Sequence, residues 1–203
     1  MDNHANIRLS ALEALLTGAL LLSFGSVVEA QYGRTKKSPD ASQRATTSQV
    51  IGVDTEITFV YHRPGVRGRD VWTDKSLFRQ IGKLVPFNGD PRPWRAGANE
   101  TTTVTFESDV LVEGHRLAAG TYGLFVIPTE QDWLIVFSQT WQSWGSFSYD
   151  PSNDVLRVSV TPEQAEFQEW LSFGFDRLKA YSARAFVRWE KKKVPFLIEI
   201  EHN

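Results

Sequence analysis

From Ile57 onward the chain is built of short apolar runs with a period of two, separated by turn residues. Ile57, Phe59 and Tyr61 fall on one face of a strand, and Thr102, Val104 and Phe106 on one face of another. Gly120 to Pro128 and Trp133 to Phe137 are continuous apolar runs parted by Thr129-Glu130-Gln131-Asp132. That is the pattern of a tight hairpin of central strands covered on both faces. Asp154 to Val160, Phe167 to Phe175, Ala183 to Trp189 and Pro195 to Glu201 predict four more strands, the last with Phe196, Ile198 and Ile200 inward. Between Thr73 and Leu84, residues Leu77, Phe78 and Ile81 recur at helical spacing behind a cap of Thr73 or Asp74, with Gly82 weakening the end. Eight or nine strands and one short helix predict an all-β fold, an antiparallel β-sandwich of jelly-roll-like form.

The N-terminal residues follow a different pattern. Arg8 precedes an apolar stretch from Ala14 to Phe24, and Val28-Glu29-Ala30 offers small residues where a signal peptidase reads, with cleavage before Gln31. The stretch is too short for an ordinary membrane span. Residues 1–30 are therefore expected to be a signal peptide, and the product to be exported to the periplasm or the extracellular space without stable membrane insertion. Residues 31–48 are polar and rich in Ser, Thr, Lys and Gln, and read as a flexible N-terminal arm ahead of a single domain over residues 49–203.

Composition narrows the chemistry. The chain has no cysteine, so a disulfide, a thiolate metal site and a catalytic cysteine are all excluded. The leader carries Arg8, Asp2, Glu13 and Glu29, so the 22 basic and 24 acidic residues become 21 and 21 after cleavage. A neutral product makes no electrostatic case for nucleic acid or for a polybasic membrane contact. His62 and His115 lie far apart in sequence and no histidine pair has metal-ligand spacing, so no metal and no cofactor are expected. A phosphate-cradling glycine loop, a nucleophile elbow and a dinucleotide fingerprint are missing from the sequence.

Several segments taken together resemble a known family. They are Tyr61-His62-Arg63-Pro64-Gly65-Val66-Arg67-Gly68-Arg69, Leu84-Val85-Pro86, Trp94-Arg95-Ala96-Gly97-Ala98-Asn99-Glu100-Thr101-Thr102 and Leu117 to Phe125. Trp141, Trp144-Gly145, Tyr149, Trp189-Glu190-Lys191 and Val194-Pro195-Phe196 complete the series, in order along nearly the whole chain after the leader. The succession closely resembles the bacterial DUF2911 family, whose members are mostly exported and have no assigned activity. The resemblance implies the location and supplies no reaction. The chain departs from the pattern by extra length between Trp72 and Trp94, and by His62 where a small residue is common.

The residues that stand out as a candidate ligand site are the arginines and tryptophans. Arg63, Arg67 and Arg69, interleaved with Pro64, Gly65 and Gly68, can grip carboxylate or phosphate oxygens. Trp94, Arg95, Asn99 and Glu100 sit at the entrance of the next strand, with Gly97 marking a turn. Trp141 and Trp144 belong to a loop of aromatic and small polar residues running to Tyr149, the composition of a cleft wall. Arg63 or Arg95 can equally pair with Glu100 or Glu190 and serve architecture. Of the seven tryptophans, Trp133 and Trp170 read as core. Asn99-Glu100-Thr101 is formally a glycosylation sequon that chance explains.

Three readings stay open. The first is an exported module binding a small anionic or carbohydrate-like ligand. The second is a carbohydrate-active hydrolase or lyase, with Glu100 and Glu190 as paired carboxylates and His62 or Tyr122 as the other candidate catalytic groups. The third is a structural or protein-interaction domain whose partner the sequence does not name.

Overall fold

The computed structural model describes residues 42–72, 93–128 and 131–201. Ten strands account for most of them: β1 (Gln43–Ile51), β2 (Thr55–Arg63), β3 (Thr103–Phe106), β4 (Val110–Val112), β5 (His115–Leu117), β6 (Gly120–Ile127), β7 (Trp133–Ser138), β8 (Asp154–Val160), β9 (Glu163–Lys179) and β10 (Ser182–Glu199). They form a six-stranded sheet in the order β1-β2-β3-β6-β7-β8 and a four-stranded sheet in the order β5-β4-β10-β9. All pairs are antiparallel, as an all-β sandwich requires. This is the antiparallel β-sandwich that the sequence predicts. Hairpin neighbours such as β1-β2, β4-β5, β6-β7, β7-β8 and β9-β10 pair within a sheet, while β3-β6 and β4-β10 pair across longer separations because the chain passes from one sheet to the other after β3, β5 and β8. The expected helix between Thr73 and Leu84 lies outside the described residues, as do the leader and residues 31–41 of the arm.

The period-two pattern becomes the core. Ile57, Phe59 and Tyr61 are buried while Glu56, Thr58 and Val60 are partly exposed. Phe59 of the six-stranded sheet stacks on Phe173 of the other, with ring centroids 4.8 Å apart, and Phe137 meets Phe196 edge-on at 6.1 Å. These rings close the space between the sheets, each fully buried side chain contributing ~1.5–3 kcal/mol. Strands β6 and β7 are buried on both faces. Leu124, Val126, Ile135 and Phe137 point into the sandwich, and Phe125 and Val136 form a second small cluster with Tyr149 outside it.

Two further expectations are corrected. Residues 43–48, read as part of the arm, are in β1 and pair with β2 from Gln43↔Arg63 to Ile51↔Thr55. An edge strand needs backbone partners on one side only, and a polar sequence serves it. Trp170, read as core, is only half-buried on β9, with the Arg67 guanidinium 5.8 Å from its ring centroid.

The sequence divides Ala183–Trp189 from Pro195–Glu201, and the structure joins them into one strand with a sharp bend. Arg184 binds Asp176 at 2.7 Å, and Lys193 binds the same carboxylate. Residues 184 and 193 of a straight strand would stand ~30 Å apart. Glu190 has φ +55°, and the pairing with β9 slips on both sides of it. Buried residues accordingly change parity, from Ala183, Ala185, Val187 and Trp189 before the bend to Val194, Phe196 and Ile198 after it. Pro195 falls between the last partner on β9, Glu163, and the first on β4, Val112, where a missing N–H costs no ladder bond.

The Arg184 guanidinium, and then Lys193, hold the Asp176 carboxyl well below the ordinary aspartate range. A carboxyl depressed in the folded state stabilises above its unfolded value of about 3.9 and loses that contribution as pH falls toward its folded value. Asp176→Asn should lower stability at pH 7 by on the order of 1 kcal/mol. In thermal melts the gap between variant and wild type should close below about pH 4, whereas a pH-independent gap would remove this ion pair from the stability of the bend.

Candidate functional site

Two loops that the sequence singles out are stitched together at one end of the six-stranded sheet. Trp94 extends that sheet by exchanging backbone hydrogen bonds of 2.8 Å with Val126. The chain then turns through Ala96 and Asn99, both at positive φ (52° and 61°). Glu100 bridges Trp144, the Thr101 amide donates to the Ser143 carbonyl at 2.9 Å, and the Gly145 amide donates to the Asn99 carbonyl at 2.9 Å. The Thr101 hydroxyl donates to the Gly145 carbonyl at 2.8 Å, so the Ser143 hydroxyl, 2.7 Å away, must donate to Thr101.

Arg95 lies against this seam. Gly145 has φ +70°, and a Cβ there would stand 3.2 Å from Arg95 Nη1 and 3.0 Å from the Phe147 ring, so only glycine lets the two approach it. Arg95 Nε is buried without a hydrogen-bond partner. Burial lowers the arginine pKa, and the charge of Glu100 opposes the shift. Glu100 is exposed, with Oε2 3.2 Å from Nδ1 of the buried His62. A neutral imidazole makes that contact as its Nδ1–H tautomer. The same loop carries Trp144 and Phe147, 58% and 67% exposed, and Trp141, 37% exposed. The main chain of Thr140 and Trp141 crosses β6 at Gly123, where a Cβ would meet the Thr140 carbonyl oxygen at 2.6 Å.

The far end of the aromatic loop is fixed by charge. Asp154 is 6% exposed, and its Oδ2 accepts from the Tyr149 hydroxyl at 2.5 Å and from Arg157 Nε at 2.8 Å. Arg157 Nη2 also donates to the Tyr149 oxygen at 3.0 Å. Asp154 Oδ1 has no partner. Burial, followed by the Asp154 contact, pushes the Tyr149 pKa well above the ordinary tyrosine range, so this phenol stays a donor.

The sequence profile of the family described as "Protein of unknown function (DUF2911)" matches residues 42–198. The chain belongs to the DUF2911 family. No curated protein and no solved structure matched it. The matched region contains the stitched loops, the tyrosine anchor and the bend in β10.

Within this DUF2911 fold the other candidate residues are dispersed. The loop from Arg63 to Arg69 docks on β9 instead of joining Arg95. Gly65 bridges Trp170, and the Val66 amide donates to the Glu169 carbonyl at 2.9 Å. Arg63 Nε donates to the Leu171 carbonyl at 2.9 Å, and Arg69 donates to the carbonyls of Val66 and Gly65 at 3.0 and 2.5 Å. The loop thereby covers the free edge of β9, with Arg63 and Arg69 satisfying backbone carbonyls and Arg67 lying over Trp170. Trp94 is buried in a cluster with Trp72, Trp133 and Trp189, stacked on Trp189 at 5.9 Å. Tyr122 is buried on β6, its hydroxyl donating to Ala118 at 2.9 Å, far from His62 in the sheet register. Glu190, at the bend, keeps a different set of neighbours from Glu100. Among the described residues no group of three His, Asp or Glu side chains is placed to hold a metal ion.

Sequence reasoning missed Phe147 and the Tyr149–Asp154–Arg157 anchor. The run from Trp141 to Tyr149 signalled the loop, but the partner that holds it is defined by burial. Tyr149→Phe leaves the buried Asp154 without its hydroxyl donor, and should destabilise by ~1–3 kcal/mol. Trp141 and Trp144 should become more accessible to acrylamide quenching in this variant; unchanged quenching and melting temperature would show that the anchor does not hold the loop.

Proposed function

We propose that this DUF2911 protein is exported and binds a small anionic or carbohydrate-like ligand at the face formed by Arg95, Glu100, Trp144 and Phe147. The observation that carries the reading is a guanidinium with one buried, unpartnered N–H close to Gly145, on a loop segment whose Trp144 and Phe147 are large and exposed. A buried donor without an acceptor costs ~1–3 kcal/mol, and an oxygen brought onto the guanidinium relieves that cost. Exposed indole and phenyl faces stack on the C–H faces of a sugar ring, and the exposed Glu100 carboxylate accepts from its hydroxyls. Export is supported by the apolar stretch from Ala14 to Phe24, the small residues at Val28-Glu29-Ala30 and the absence of cysteine.

The arrangement favours binding over glycoside hydrolysis. Hydrolysis by the usual route needs two carboxylates facing each other across the scissile bond. Here Glu100 belongs to the His62 and Trp144 neighbourhood and Glu190 to the bend in β10.

Tryptophan-fluorescence titration with neutral sugars, uronates and small organic acids should give saturable binding. Arg95→Ala should abolish it with a native circular-dichroism spectrum, and Trp144→Ala should weaken it about tenfold, equivalent to ~1.4 kcal/mol. Binding that survives Arg95→Ala would refute this site. Expression with the leader intact should yield a product beginning at Gln31 in the exported fraction, and a cytoplasmic full-length product would refute export.

A further inference from the structure

The bend in β10 does more than change the parity of the core. Successive residues of a regular strand face opposite sides. Glu190, Lys191 and Lys192 nevertheless line one cleft of about 240 Å³, facing Arg69, Asp70 and Trp72 across it. The left-handed φ of Glu190 and the slips in pairing on either side of it permit this convergence. Strained non-glycine residues and irregular strands gather where a side chain must be re-aimed.

The donors of the cleft define what fits. Lys191 and Lys192 make no side-chain hydrogen bond or ion pair among the described residues. Arg69 commits Nε–H and one Nη2–H to the carbonyls of Val66 and Gly65, which leaves both Nη1 hydrogens and the second Nη2 hydrogen. Beside the carboxylates of Asp70 and Glu190 the cleft offers the remaining edge of one guanidinium and two ammonium groups, a set of cationic donors suited to the dispersed oxygens of a tetrahedral anion. Glu190 Oε2 accepts from the Lys191 amide at 2.5 Å, keeping a carboxylate at the rim. A carboxylate beside the anion favours one that retains a proton to donate, as hydrogen phosphate does near neutral pH and sulfate does not.

We propose that the cleft between Arg69–Trp72 and Glu190–Lys192 is a second binding site, independent of the Arg95 face, for a phosphate group, either free or carried by a small phosphorylated compound. Lys191, Lys192 and Arg69 hold its oxygens, Glu190 accepts its proton or a neighbouring hydroxyl, and Trp72 forms the apolar wall.

Calorimetric titration of the full chain in low-salt buffer at pH 7, with inorganic phosphate, sulfate and glucose 6-phosphate as separate arms, tests this. Phosphate should bind saturably and more tightly than sulfate. A tighter glucose 6-phosphate would identify the phosphorylated compound as the ligand, and an equal or weaker one the free anion. Lys191→Ala combined with Lys192→Ala should weaken phosphate binding ~10-fold or more, while Arg95→Ala should leave it unchanged. Glu190→Gln should narrow the preference for phosphate over sulfate. Absence of saturable phosphate binding, or equal affinity in the double-lysine variant, would overturn the site. Equal binding of phosphate and sulfate by the wild type would overturn the role of Glu190. The lysines are on the surface, and a circular-dichroism melt of the double variant should match wild type, so that lost binding reports the site.

Discussion

The bend in β10 at Glu190 is the constraint on which the other features depend. An 18-residue strand running straight would project far beyond the sandwich. Its pairing with β9 runs through the bend to Lys193 and its end pairs with β4 at Ile198 and Glu199, so one strand joins both neighbours in the smaller sheet. The bend is held on its outer side by Asp176, bound to both Arg184 and Lys193, and by Arg184 reaching Glu163 at 2.6 Å. On its inner side Trp189 anchors the four-tryptophan cluster. The charged network and the indoles thus fix the same few residues from opposite faces of the sheet.

Two of the three buried polar atoms without partners among the described residues flank the aromatic loop. Folded proteins pair nearly all buried donors and acceptors. The arginine-rich loop obeys that rule, since Arg63 and Arg69 donate to backbone carbonyls and the loop seals an open strand edge. The rule is broken at Arg188 Nε on β10 and, flanking the aromatic loop, at Arg95 Nε and Asp154 Oδ1. Between the latter two atoms the loop displays Trp144 and Phe147 to solvent. Exposed aromatic rings near unpaired buried polar atoms are costly for a fold, and their coincidence around one loop is the ground on which binding is proposed there.

The mixed-charge cleft at the bend and the Arg95 face are chemically different. Arg95 is half-buried beside exposed rings, whereas Arg69, Lys191 and Lys192 are presented separately around a small hollow. Trp94, adjacent to Arg95 in sequence, stacks on Trp189, adjacent to Glu190, so a buried pair of indoles lies between the two regions. That rigid contact keeps each region in place without making them one site.

The sequence by itself determined the sandwich, because period-two patterning commits residues such as Ile57, Phe59 and Tyr61 to one face whatever their partners are. It also exposed the DUF2911 motifs and the two loops around Arg95 and Trp144, since those residue types are poor choices for plain connections. It read Gln43 to Ser48 as a flexible arm and offered no strand there, because an edge strand is stabilised through its backbone, which leaves no apolar signature. Only the tertiary structure decided which arginines are spent on the fold. Arg63, Arg69 and Arg95 look alike in sequence, and they differ in whether a backbone carbonyl reaches them. The same holds for Glu100 and Glu190, and for Tyr149 with Asp154. Their roles are set by contacts and burial created when distant segments pack, and hydrophobic periodicity carries no record of those contacts.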